Sequence, residues 1–300
     1  MTINNLSKQL QTALLLTAMG LLPMACNESA MEQQSATNDT EAQTDWAQTS
    51  LSNGTRLSYT ATTVVLTNTP SDGAKASAAG EFNYKEVQEV AIYIDREGKN
   101  YEEFSRVVDH TDKRNEYDPT RVAERVVRNG QVTAFNNGGK ALFTLSTASS
   151  GAKGANPDYS MMVKPCSERK AIVMKQIADL ARGHNPLGEA GAKGAGSISM
   201  EQLSENVVRL SQSFTDTRSG HDEQLTAVSY FNTLYGVPVL SETFNERGEL
   251  VSRLTQLYKL VDDVPVLAYE ENIFFTATHD GQTIENKTIT NYENIELQKF

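Results

Sequence analysis

Two thiols, four imidazoles and two pairs of adjacent carboxylates are the residues whose types and spacing bear on chemistry. Cys26 directly follows Ala25 at the end of an apolar run. Cys166 is the other thiol, and it reads as a small buried hydrophobe rather than a reactive group. His110, His184, His221 and His279 are scattered through polar, loop-like stretches. No two have metal-ligand spacing, and H-E-x-x-H is absent. The G-x-S-x-G elbow of a serine hydrolase is absent too. Asp262–Asp263 and Glu270–Glu271 are neighbours in sequence. Neighbours on a strand point to opposite faces, so neither pair makes an acid/base couple, and solvated turns account for both. Gly151–Ala152–Lys153–Gly154 and Gly191–Ala192–Lys193–Gly194 set a lysine among glycines without the G-x-x-x-x-G-K-[ST] spacing of a phosphate loop. Asp39, Asp45 and their neighbours lack the D-x-[DN]-x-[DN]-G pattern of a calcium loop. The sequence therefore predicts no catalytic residue, no metal and no cofactor. An envelope hydrolase ranks last among its readings.

The element that positions Cys26 is the run Ala13–Ala25, with Lys8 the only charged side chain before it. A mature transmembrane helix needs about 20 apolar residues, so this run is too short to span and fits the core of a cleaved export signal. The Ala25–Cys26 junction resembles the lipobox of bacterial lipoproteins, with Pro23 where a leucine is more usual. The resemblance implies cleavage before Cys26, acylation of its thiol (palmitate among the acyl groups), and a lipid-anchored protein of the bacterial envelope. The expected localisation is the outer membrane, facing the periplasm. Residues 26–45 carry Glu28, Glu32, Asp39, Glu41 and Asp45 with no lysine or arginine. Such a segment cannot bury enough apolar surface to offset its ordering entropy, and it reads as an acidic disordered tether.

The 300 residues carry a net charge of −11, and removal of Lys8 with the signal makes the remainder one unit more negative. This leaves no basic footprint for nucleic acid. It also argues against electrostatic binding to anionic head groups, but not against an apolar acyl-chain site. With 39% hydrophobic residues the chain can build a core, and residues 46–300 read as one domain.

That domain alternates like β structure. Leu57–Thr69 is rich in Thr, Val and Tyr. Val90, Ile92 and Ile94 share one face of a run, Ala91 and Tyr93 the other, and Asp95–Gly98 closes a hairpin onto Tyr101–Asp109. Asn129–Gly130 between Arg121–Arg128 and Gln131–Phe135 predicts a two-residue hairpin with Val127 facing Val132. Asn136–Gly139 turns the chain into Lys140–Ser146. Residues 168–182 carry Ile172, Val173, Ile177 and Leu180 at helical spacing after Ser167, which suits a cap. Strands resume at Asn206–Phe214, Leu225–Tyr235 and Val237–Phe244. Leu250–Leu260 has a helical period but lies between hairpins, and it is assigned as a strand. Asp280–Gly281 predicts a last hairpin pairing Thr278 with Thr283 and Ala277 with Ile284, and Ile289–Leu297 ends the chain. Of the aromatics crowded into the last third, most are expected in ordinary sheet core, with at most one of Phe274 and Phe275 facing an interior.

The cadence Tyr235–Val239, Glu246–Val251 and Val261–Val266 resembles the LolA/LolB-like outer-membrane lipoprotein carriers and receptors, with Asp263–Val264–Pro265 where a glycine is commoner before the proline. The resemblance implies a mainly β fold: a curved antiparallel sheet forming an unclosed half-barrel, covered by one or more helices. It implies a non-enzymatic protein that binds an acyl chain or a lipidated protein in an apolar cavity and serves envelope lipid or lipoprotein trafficking. Its partners would be the membrane, through the N-terminal lipid, and that acyl or lipoprotein ligand. The alternative is an envelope lipoprotein of the same fold with a packed core, serving as an interaction or assembly module.

Overall fold

The computed structural model describes residues 47–67, 84–112, 121–146, 159–181, 198–216, 223–277 and 283–300. The export signal, Cys26, the tether, Trp46, both glycine-lysine stretches, His184, His221, His279 and Asp280–Gly281 lie outside them. Among the described residues, no helix is long and apolar enough to cross a membrane.

Thirteen strands form one antiparallel sheet. They are β1 (Gly54–Thr67), β2 (Tyr84–Asp95), β3 (Tyr101–Asp112), β4 (Glu124–Arg128), β5 (Gln131–Phe135), β6 (Ala141–Ser146), β7 (Ile198–Ser204), β8 (Val207–Asp216), β9 (Glu223–Asn232), β10 (Val237–Asn245), β11 (Leu250–Val261), β12 (Val264–Ala277) and β13 (Thr283–Lys299). Their order across the sheet is β6-β5-β4-β3-β2-β1-β13-β12-β11-β10-β9-β8-β7. Two meanders thus meet where β1 pairs β13, and the sheet does not close into a barrel. A flat sheet of thirteen strands would hold its edges roughly 60 Å apart, and twisted sheets of this width curl instead. β6 and β7 are the two edges, and the passage between them in the sequence is described over residues 159–181. That passage carries a 3₁₀ turn (Tyr159–Val163) and the helix α1 (Cys166–Ala181).

Turn chemistry fixes most registers. Asn129 and Gly130 take φ of 53° and 70°, and Val127 pairs with Val132. Asp262 and Asp263, with φ of 50° and 63°, form an exposed two-residue turn between β11 and β12. Leu250–Val261 is a strand despite its helical period, because both neighbours, β10 and β12, offer it a ladder.

Four expectations need correction. The last hairpin pairs Ala277 with Thr283, one residue away from the predicted register. A slip of one residue turns every side chain over, and β13 is held on its other side by β1, which decides the matter. The helix begins at Cys166, not 168, so Ser167 lies in its first turn and does not cap it; Pro165 pre-sets the start, and the Cys166 N–H finds an acceptor outside the helix. Strand β7 was not foreseen: most of its side chains are exposed and it pairs only with β8, so it shows no alternation to read. Glu270 and Glu271 lie inside β12, not in a solvated turn.

Core forms on both faces of β2. Val90, Ile92 and Ile94 pack with Leu57, Val264, Val266 and Ile295 beneath Met162 of the 3₁₀ turn. Ala91 and Tyr93 pack with Phe104 on the outer face, beneath Ala47 and Leu51. Helix α1 lays Val173 and Ile177 on Val208, Leu210 and Phe231, with Met161 between. Full burial of side chains of this size contributes roughly 1.5–3 kcal/mol each.

Candidate functional site

The face of the sheet beneath the 3₁₀ turn and α1 is its inner face, and cross-strand register shows how its character changes along the strands. At the end nearest Gly54, Leu57 is paired with Ile92 and Leu297, and this row is apolar and filled by Met162. A tyrosine belt follows. Tyr59 and Tyr292 meet edge to face, with centroids 5.4 Å apart and planes at 76°. Tyr101 stacks on Tyr159 of the 3₁₀ turn at 4.7 Å, tying the sheet to the passage above it. Beyond the belt runs a polar row. Glu86 pairs with Thr63, Thr63 with Thr290, Thr290 with Glu270, and Glu270 with Gln256. The Thr63 and Thr290 hydroxyls are 3.0 Å apart. The inner face is therefore amphipathic along its length, whereas the LolA/LolB-like resemblance implies an apolar cavity.

The carboxylates on this face differ in their partners. Glu86 pairs with Arg121 at 3.0 Å, and Glu103 with Arg125. Glu270 pairs with no cation among the described residues. Its Oε2 accepts from Gln256 Nε2 at 3.0 Å, and Gln256 Oε1 in turn accepts from the Tyr258 hydroxyl at 3.4 Å. Burial pushes the Glu270 carboxyl above the usual range, and the single amide hydrogen bond only partly opposes it. Burial raises the Tyr59, Tyr258 and Tyr292 hydroxyls well above their ordinary value, and the Glu270 charge adds to each. Tyr59, Tyr258, Tyr292 and Glu270 lie deep in the protein, yet each keeps accessible surface. Tyr59 and Tyr292 border the apolar cluster around Leu57, and with Glu270 and Tyr258 they form the half-buried part of the inner face.

A second polar cluster lies on the outer face. Glu102, 2% exposed, accepts from Thr49 Oγ1 at 2.8 Å, from the Ser50 N–H at 3.0 Å and from the Ser50 hydroxyl, and it pairs with Arg128 at 3.0 Å. Burial alone would raise its carboxyl, but these donors outweigh it and hold it below the usual range. Tyr93 donates to the Ala47 carbonyl at 2.7 Å. Residues 47–51, which lead into β1, are thus clamped to the sheet.

Of the other residues singled out in the sequence, His110 is exposed near the end of β3. Cys166 is buried, as expected. No group of three His, Cys, Asp or Glu side chains among the described residues is placed to hold a metal. Phe231, 2% exposed, is core beneath α1. Phe274 shares the Glu270 face and Phe275 takes the other, as alternation requires. Gln256, Thr63 and Thr290 carry no motif, and only the strand register reveals them as part of the site.

No family model matches the chain, and no curated protein does. Solved structures do. The chain is similar to a domain described as an outer membrane lipoprotein-sorting protein from Vibrio parahaemolyticus, at 13% identity over 82% of this chain and 86% of that one, with a TM-score of 0.38. It is similar to a DUF1329 family protein from Desulfovibrio piger, at 8% identity over 82% and 86%, with a TM-score of 0.40. It is also similar to a LolA superfamily protein from Nitrosomonas europaea, at 9% identity over 81% and 87%, with a TM-score of 0.33.

Proposed function

We propose that this is an exported, non-enzymatic protein, anchored to the bacterial outer membrane through acylated Cys26, that holds an acyl chain or a lipidated protein between the inner face of its sheet and the passage from β6 to β7. The observation that supports this reading is the half-buried inner face beneath the 3₁₀ turn and α1, apolar around Leu57 and Ile92 and polar at Thr63, Thr290 and Glu270. An amphipathic wall suits an amphipathic ligand, whose chain gains roughly 0.8 kcal/mol for each buried CH₂. The acidic segment 26–45 would let the domain stand off the membrane.

The test is to purify the full chain, extract it, and identify bound lipid by mass spectrometry, with native mass spectrometry alongside. Stoichiometric acyl lipid is expected. A ligand-free mass, unchanged after incubation with phospholipid vesicles and an acylated peptide, overturns the reading. Metabolic labelling with a palmitate analogue should mark the wild type and spare Cys26→Ser. A second reading, an interaction or assembly module, draws on the exposed Phe143 on edge strand β6 and the exposed Met200 and Leu203 on edge strand β7.

A further inference from the structure

Glu270 is a carboxylate on the inner face whose only hydrogen bond among the described residues is from a neutral amide. A half-buried carboxylate in that state is costly, and it is relieved by a proton or by a cation supplied from outside. None of the protein's own cations pairs with Glu270 among the described residues, and Arg169, whose Nε has no hydrogen-bond partner, acts on Tyr258 and not on Glu270. Arg125 is paired with Glu103. Arg169, 3% exposed on α1, donates to the Met161 carbonyl at 2.6 Å and exerts its charge on Tyr258. The walls are aromatic: Tyr59 and Tyr292 form a corner at 76°, and Tyr258 reaches the same space through its bond to Gln256. The Tyr59 and Tyr292 hydroxyls have no hydrogen-bond partner among the described residues.

We propose that the inner face beside Glu270 takes an alkylammonium group, with the Glu270 carboxylate as counter-ion and the rings of Tyr59, Tyr258 and Tyr292 beside it. Aromatic faces attract compact cations, most strongly where water is excluded. A divalent metal is a poor fit, because one carboxylate and one amide fall far short of the six or more oxygens that calcium needs. An anion is repelled by Glu270. A planar guanidinium wants two free carboxylate oxygens, and Oε2 is already engaged by Gln256. This inference names the polar end of the ligand proposed above and rests on that reading for the apolar end alone. Two sources carry this chemistry, the head group of an amine lipid and a free small ammonium ion.

The experiment uses the full chain with three probes. Dioleoyl phosphatidylethanolamine and dioleoyl phosphatidylglycerol share acyl chains and phosphate and differ in the ammonium; tetramethylammonium chloride carries the cation without a chain. Lipid binding is read by native mass spectrometry and tetramethylammonium binding by calorimetry. The expected result is a preference of about tenfold or more for the ethanolamine lipid, abolished in Glu270→Gln. Equal binding of the two lipids with no heat from tetramethylammonium overturns the ammonium site and leaves the acyl reading standing. Tetramethylammonium binding that is lost in Glu270→Gln, with neither lipid bound, upholds the ammonium site with the free ion as its source and removes the acyl reading. Should Glu270→Gln fail to fold, Tyr292→Leu, which removes a ring face and no charge, must weaken the same preference several-fold or the site is wrong.

Discussion

The backbone N–H of Cys166 donates to the carbonyl of Asp263 at 2.9 Å, so the first residue of α1 is docked on the turn between β11 and β12. Burial, with the Asp263 carboxylate beside it, pushes the Cys166 thiol above its ordinary range. The thiolate is the nucleophile, so alkylation of Cys166 by iodoacetamide at pH 8 is expected to be at least about 100-fold slower in the native protein than in denaturant. Stopped-time labelling read by mass spectrometry checks this. Comparable rates would mean that α1 does not stay docked.

Gly54 admits no side chain. A Cβ there would lie 2.0 Å from the Ile94 carbonyl oxygen, while the Gly54 N–H and carbonyl both bond to Phe300 at the chain's end. Gly54→Ala is expected to cost about 1–3 kcal/mol, seen as a lowered midpoint in urea with an unchanged slope.

The clamp at Glu102 should respond to acid. Its folded value lies below that of the free carboxyl, so the clamp's contribution is present above the ordinary carboxylate range and is lost as pH falls through the lowered value. Hydrogen exchange in residues 47–51 should therefore rise on acidification while β2 and β3 stay protected. Glu102→Gln should release the same segment at neutral pH, at a cost of roughly 1–3 kcal/mol. Unchanged protection in that variant would show that Tyr93 and the Ala47 carbonyl suffice.

Glu270 carries the opposite sign. Its folded value is raised, so the stability linked to it is present at low pH and falls as pH rises from the ordinary carboxylate range through the raised value. Glu270→Gln, free of ligand, should be more stable than wild type at pH 8 by an amount of order 1 kcal/mol, with the gap closing toward pH 4. Denaturation curves at the two pH values decide it. A destabilised variant at pH 8 would mean that the carboxylate has a cation partner in the folded protein.

Much of the fold was legible because local chemistry specified it. Asn129–Gly130 placed Val127 opposite Val132 without help from the rest of the chain. The alternation at Val90–Ile94 gave two faces, and both proved buried. What failed was non-local. The register at Ala277 answers to β1 across β13, and no residue near the turn records that. β7 answers only to β8. The site was less legible still. Glu86, Thr63, Thr290, Glu270 and Gln256 come from five strands, and only the sheet's order puts them in one row. Glu270 beside Glu271 looked like a turn because adjacent charges usually are one.

The pairing of β1 with β13 sets the order in which this protein can be assembled. Every other strand pair joins neighbours in the chain, so each meander can form by local hairpins as soon as its own residues are available. The central seam alone waits for the final strand, and it closes the longest loop in the molecule, the slowest kind of contact to make. Until then β1 and β12 each present a raw edge of fourteen residues, the kind of edge that templates aggregation. Loss of the last strand would leave two half-sheets, each complete in its hairpins and neither able to seal the other. β13 is thus the strand that joins two ribbons into one sheet.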